Sequence, residues 1–142
     1  MRYWDTSAVV SLLLSEQASA PAWESLEADS EMAVWWGTRV ECLSAIHRRE
    51  RERSIGSDQV AGALATLEEL AEGWTEIRPT DAVRAEADRA VAVHELTAAD
   101  AFQLAAAIAW RGPPDNRRGF VCLDRQLAER ARREGFDCPL QA

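Results

Sequence analysis

The sequence predicts an α/β fold in which helices cover a mostly parallel sheet. Two observations carry this expectation. Short apolar segments of strand composition recur around Tyr3, Ala33, Glu76 and Val121, and stretches with helical spacing separate them. Strands that alternate with helices along a chain build layers, with parallel strands covered on both faces. A third observation bounds the architecture. The 142 residues contain no internal repeat, linker or low-complexity tract, which predicts one domain over residues 1–142.

Taken in order, Arg2 to Asp5 is a short strand, and Ser7 to Leu14 a helix apolar around most of its girth. Ala22 to Ala28 adds a helical turn or two behind Pro21. Met32 to Trp36 (MAVWW) has strand composition and ends at Gly37. Thr38 opens a helix through Arg53, with Val40, Leu43 and Ile46 at helical spacing. Ser54 to Ser57 breaks it, and Asp58 to Glu72 is the next helix, stopped by Gly73. Trp74 to Arg78 (WTEIR) alternates like a strand and meets Pro79. Thr80 caps a helix over Asp81 to His94, and Thr97 to Trp110 is another. GPPDNRRG is a loop by its turn residues. Phe120 to Asp124 (FVCLD) reads as a strand, Arg125 to Glu134 as a helix ended by Gly135, and Phe136 to Leu140 as a short last strand.

The formal charge of −8 argues against a protein that coats nucleic acid non-specifically. It leaves open a nucleic-acid enzyme, because a metal ion in an acidic cleft would itself supply positive charge. All 16 basic residues are Arg, so any mechanism that needs a Lys is excluded. Cys42, Cys122 and Cys138 lie in apolar settings without a CxxC or a His/Cys cluster. They are expected as buried thiols in a reducing compartment. Arg2, the run Ala8 to Leu14 and Ala18-Ser19-Ala20 imitate a secretory signal. Asp5 interrupts that pattern, Glu16 follows the apolar run, and Pro21 is a poor residue just beyond a cleavage point. The segment is therefore expected to be structural and the protein cytoplasmic, and no stretch approaches the roughly 20 apolar residues of a membrane span.

Four acids have too little structural work to occupy them. Asp5 and Asp124 each end a strand, where ligands of open parallel sheets bind, although each also suits the N-cap of the helix that follows. Thr97 and Asp100 have the spacing of a capping box. Yet from Ala98 to Trp110 the helix is apolar on every side except at Asp100 and Gln103, which share a face. A helix apolar all round is expected to be buried. A carboxylate buried on it must be paired or must coordinate something, and the chain has no Lys and that helix no Arg before Arg111. Glu41 lies in a first helical turn, where it suits the dipole, but it too follows a strand.

If the strands are parallel neighbours, these four carboxylates converge. Converging anions repel and raise one another's pKa unless a cation intervenes. Carboxylates without His or Cys suit hard ions, Mg²⁺ or Mn²⁺ rather than Zn²⁺. Such a cluster is the usual apparatus for phosphodiester hydrolysis, the ion acidifying water and screening charge on the phosphate.

The same residues resemble a family. DTSA at Asp5 to Ala8, TRVECLSAI around Glu41, LTAADAFQLAAA from Leu96 to Ala107 and FVCLDRQLAERARREGF from Phe120 to Phe136 are similar, in order and spacing, to PIN-domain ribonucleases. The match is specifically to VapC-type toxins of type II toxin–antitoxin pairs, and it covers nearly the whole chain. It implies a PIN-like three-layer α/β/α fold, a mostly parallel central sheet flanked by helices, and a Mg²⁺-dependent endoribonuclease, with Mn²⁺ as possible substitute. It implies that Asp5 and Asp100 chiefly hold the metal, that Glu41 and Asp124 complete the catalytic set, and that Thr6 or Ser7 helps place metal or scissile phosphate through its hydroxyl. It also implies RNA as substrate and a cognate antitoxin as partner. Cys122 departs from the family, standing where many relatives carry Thr or Ser.

Elsewhere, HRRERERS from His47 to Ser54 reads as a solvated helix end, with Arg48 and Glu52 in contact, or else as a phosphate-contacting rim. Arg117 and Arg118 are more often solvated than functional, but they precede the Asp124 strand, and an acidic protein must concentrate its arginines near its cleft to hold RNA. Trp35 and Trp36, adjacent on a strand, point to opposite faces; one can be core while the other packs under a helix or beneath a partner. With six Trp in the chain, a homodimer or antitoxin surface is expected. His47 and His94 are isolated and receive no catalytic role. A receiver domain or haloacid-dehalogenase-like phosphatase also gathers acids at strand ends, but both need a Lys, and the phosphatase wants D-x-D where Asp5-Thr6-Ser7 stands. A non-catalytic PIN-fold binding or scaffold module is the remaining alternative. Loss of one of the four acids would have favoured it, and all four are present.

Overall fold

Tyr3 and Trp4 are neighbours with side chains on opposite faces of one strand, and both are completely buried, which requires a sheet covered on both sides. The computed structural model describes residues 1–14 and 19–140. Along them run β1 (Arg2–Trp4), α1 (Thr6–Leu14), α2 (Ser19–Ala28), β2 (Met32–Trp35), α3 (Thr38–Arg51), α4 (Ser57–Gly73), β3 (Thr75–Ile77), α5 (Asp81–Val93), α6 (Ala98–Arg111), β4 (Phe120–Val121) and α7 (Arg125–Arg133). The sheet order is β3-β2-β1-β4, and every pairing is parallel, with Tyr3 opposite Ala33 on one side and Phe120 on the other.

Alternation along the strands divides the core. Trp4, Val34 and Val121 pack with Leu12, Ile46 and Leu67 of α1, α3 and α4. Tyr3, Ala33, Trp35 and Phe120 face the other way, onto Ala87, Leu104 and Leu127 of α5, α6 and α7. The result is three layers, helices on each side of a parallel sheet, as expected. The alanine-rich face of α6 lets it lie close on the sheet, and its Phe102 ring stacks on Trp35 with centroids 5.4 Å apart. Among the described residues, no helix is long and apolar enough to cross a membrane.

Several boundaries differ from expectation for local reasons. The second helix, described over Ser19–Ala28, already includes Ser19 and Ala20 and so contains Pro21 rather than following it. Glu16 and Ala18, cited in the signal-like pattern, lie outside the described residues. The second strand stops at Trp35; Trp36 and Gly37 form a turn, leaving the Trp36 indole 50% exposed against 8% for Trp35. Glycine is required there, since a Cβ on Gly37 would come 2.7 Å from Trp35 Nε1. The expected strand from Phe120 to Asp124 shortens to two residues. Beyond it the chain curls into α7, bringing the Asp124 carbonyl to 3.3 Å from Cys122 Sγ. Phe136 to Leu140 does not form a strand. It contributes one bridge, Gly119 with Asp137, and Pro139 has no N–H with which to continue a ladder.

Leu104 is fully buried on α6. Its replacement by Ala is expected to cost about 2–5 kcal/mol, read as a lowered denaturant midpoint at unchanged slope. Val91→Ala, on the exposed face of α5, should cost less than about 0.5 kcal/mol.

Candidate active site

Parallel strands end at the same edge, and the residues that follow them share one region. Asp5 comes directly after β1. Its N–H donates to the Val121 carbonyl at 3.0 Å, and its carbonyl accepts from Ala8 and Val9 to start α1. The carboxylate turns inward and is 4% exposed. Its Oδ2 accepts from Ser7 N at 3.1 Å and Ser7 Oγ at 2.6 Å, with Cys122 Sγ at 3.5 Å. Ser7 Oγ in turn accepts from Leu123 N at 3.0 Å, tying α1 to the end of β4. The Cys122 thiol thus still reaches Asp5 in the place of a hydroxyl, as a weaker donor.

Glu41 rides on the first turn of α3. Thr6 Oγ1 donates to its Oε2 at 3.2 Å, and Gln103 Nε2 to its Oε1 at 3.2 Å. Asp100 is on the first turn of α6, where its N–H donates to the Thr97 hydroxyl at 3.2 Å. Asp124 caps α7, Oδ1 accepting from Leu127 N at 3.1 Å. Capping and convergence therefore coexist: Asp5, Glu41, Asp100 and Asp124 line one cavity of about 570 Å³, together with Thr6, Ser7 and Arg48.

Electrostatics mark the cavity as strained. Burial pushes the Asp5 carboxyl up and the charge of Asp100 adds to it, against the bonds from Ser7. Burial likewise raises Glu41, with Asp5 and Asp100 adding, against the bonds from Gln103 and Thr6. Asp100 is raised by burial and by Asp124. Among the described residues none of the four acids has an ion-pair partner. Among the same residues, no group of three or more His, Cys, Asp or Glu is set out as a ready-made metal cage.

Thr6 and Ser7, expected to place metal or phosphate, each have their hydroxyl bonded to a carboxylate, Thr6 to Glu41 and Ser7 to Asp5. Arg48 lines the cavity, and it is His47, not Arg48, that pairs along α3, with Glu50 at 3.1 Å. Arg117 and Arg118 are not at the cleft. They precede the start of β4, and in a parallel sheet the start lies at the opposite edge. There Arg117 pairs with Asp137 at 2.5 Å, Arg118 stacks over Trp110 at 4.6 Å, and both border a separate cavity with Arg2 and Arg132. His94 is buried against Glu134 at 2.9 Å. Tyr3 and Thr38, which the sequence did not mark, join the site through Gln103. The available signal was Gln103 itself, polar on a helix apolar all round.

No family model and no curated protein matches the chain. The fold is similar to that of a toxin–antitoxin complex from Klebsiella pneumoniae, with TM-score 0.68 and 17% identity over 100% of both chains. It is also similar to PAE2754 from Pyrobaculum aerophilum, with TM-score 0.64 and 20% identity, covering 92% of this chain and 84% of that one. At these identities the likeness is one of fold.

Because burial and Asp100 raise the Asp5 carboxyl in the folded state, its ionisation opposes folding above its folded pKa, and that cost vanishes below the ordinary aspartate range. Asp5→Asn keeps an oxygen for the Ser7 bonds and removes the charge. Without divalent cations the variant is expected to melt above wild type at pH 8, with the gap closing as pH falls toward about 4. A gap independent of pH would contradict the assigned cause.

Proposed function

We propose that this chain is a Mg²⁺-dependent endoribonuclease of the PIN, VapC-like type, the cytoplasmic toxin of a toxin–antitoxin pair, with Mn²⁺ able to substitute. The observation that carries the reading is the meeting of four carboxylates, from the ends of three strands and the start of α6, in one cavity without an ion-pair partner among the described residues. The donor set suits a hard cation, since it offers carboxylate oxygens and hydroxyls but neither His nor thiolate ligands. Mg²⁺ keeps much of its water and takes one or two protein carboxylates, so an open pair, Asp5 and Asp100, fits it better than a closed cage would. Neutralising their charge would also relieve the raised pKa values around it.

When bound, such an ion supplies acidified water and neutralises charge on the scissile phosphate. The chain's own groups do the rest. Ser7 holds Asp5 by two bonds and fixes where its oxygens lie. Glu41 has one donor on each oxygen and keeps a further lone pair on each to orient a water and accept its proton. Asp124, with Oδ1 taken by the helix N-terminus, has Oδ2 for the same kind of task. Arg48 on the rim holds an RNA phosphate in a protein otherwise too acidic to attract one.

An antitoxin partner is supported by the shared fold with the Klebsiella pneumoniae toxin–antitoxin complex. Val40, which lines the acidic cavity, and Trp36 are exposed by 67% and 50% and offer apolar surface of the kind protein interfaces use. A homodimer belongs to the same proposal, with Trp23 and Val93 as further exposed apolar residues.

Purified, antitoxin-free protein is expected to cut RNA with Mg²⁺ or Mn²⁺ and to stop in a chelator. Asp5→Asn and Asp100→Asn should each lose more than about 100-fold in rate, and Mg²⁺ should raise the melting temperature of wild type but not of Asp5→Asn. Mapping new RNA ends would check this, and variants that cut as well as wild type would refute the assignment.

A further inference from the structure

We propose that Gln103 is a positioning residue that fixes the Glu41 carboxylate, and that Tyr3 decides which way its amide points. The consequence for catalysis rests on the nuclease reading above; the hydrogen-bond geometry does not.

The direction of every bond in this cluster follows from Glu41. An ionised carboxylate only accepts, so the Gln103 atom 3.2 Å from Glu41 Oε1 is the amide nitrogen. That same nitrogen lies 2.8 Å from Thr6 Oγ1 and 3.1 Å from Thr38 Oγ1. Its two N–H groups are thus shared among three acceptors. Thr6 Oγ1 accepts from Gln103, so its own proton is directed to Glu41 Oε2 at 3.2 Å. At the other end the amide oxygen faces Tyr3, whose phenol donates to it at 2.6 Å. Donation runs one way, from Tyr3 through Gln103 and Thr6 onto Glu41. Turning the amide over would set its oxygen against the carboxylate and its N–H₂ against a donating phenol.

Burial makes this direction costly to lose. Tyr3 and Thr38 are completely buried and Gln103 is 1% exposed, so an unmade bond there has no water to replace it. The four partners come from β1, α1 and α3, and Gln103 stands one turn after Asp100 on α6. One side chain therefore sets Glu41, on one helix, relative to Asp100 on another. Among the described residues, Thr6 and Gln103 are the side chains that hydrogen-bond Glu41.

Three substitutions separate positioning from packing. Gln103→Met keeps the volume and removes the donors. Gln103→Glu keeps the acceptor for Tyr3 but puts an oxygen opposite Glu41. Tyr3→Phe keeps the ring and frees the amide to turn. Expected are falls in kcat of about 10–100-fold for Gln103→Met, at least as much for Gln103→Glu and less for Tyr3→Phe. KM for RNA should stay within about 2-fold of wild type in all three, because none of these groups reaches substrate. An unchanged kcat in Gln103→Met would overturn the proposal, as would a loss seen only in KM.

A second arm needs no activity. In ¹⁵N-labelled wild type the Gln103 side-chain amide pair should exchange slowly with solvent, unlike those of exposed Gln59 and Gln126. It should shift in Glu41→Gln and in Tyr3→Phe. A pair that exchanges like the exposed ones and ignores both changes would overturn the assignment. If wild type fails to cut RNA, the nuclease reading falls and these resonances still decide whether Gln103 holds Glu41.

Discussion

Asp5 lies at the carboxyl end of β1, an inner strand, with almost no contact with water, and three donors reach one of its oxygens. An isolated charge in that place would cost far more than those bonds return, and burial accordingly raises its pKa despite them. Much of the surrounding structure is arranged to keep that carboxylate in place. Helix α1 must begin at once, so that Ser7 can present both its N–H and its hydroxyl. Strand β4 must lie beside β1, so that Leu123 can hold the Ser7 oxygen. Both requirements are met by a few bonds between residues that are far apart in the chain.

The sheet topology explains why other acids arrive at the same place. β1 lies between β2 and β4, so the chain leaves it in one direction through β2 and β3 and returns on the other side for β4. Ligand sites of open parallel sheets form at such a reversal, outside the carboxyl ends of the strands. Glu41 and Asp124 are brought there by the helices after β2 and β4, and Asp100 by the crossover from β3. Helix starts are also where acids are favoured on dipole and capping grounds. Two of these residues, Asp5 and Asp124, carry out both tasks, so a capping bond does not count against a role in the cavity.

Apolar composition and its period made most of the fold legible. MAVWW read as a strand by composition, and its tryptophan pair split because the strand stops at Trp35 and leaves Trp36 exposed in a turn. The candidate site was legible through its excess of unpaired acids on apolar elements. Gln103 was visible as an anomaly on α6 but not as a hub, because its partners Tyr3, Thr6, Thr38 and Glu41 are named only by packing. Arg117 and Arg118 read first as solvated and only second as cleft residues, and the strand between them and Asp124 carries them to the opposite edge. The last segment, Phe136 to Leu140, has strand composition but only one place to pair.

What the sequence determined by itself was local and additive: which stretches are strands or helices, where caps fall, and which charges lack a neighbour of opposite sign. Those properties follow from side-chain chemistry and period, which short windows contain. Only the tertiary structure decided which unpaired groups meet, that Ser7 serves Asp5 while Thr6 serves Glu41, and that a buried amide joins two helices across the sheet edge. Hydrogen bonds are short and directional, and whether two atoms separated by about a hundred residues come within 3 Å of each other is set by how layers pack.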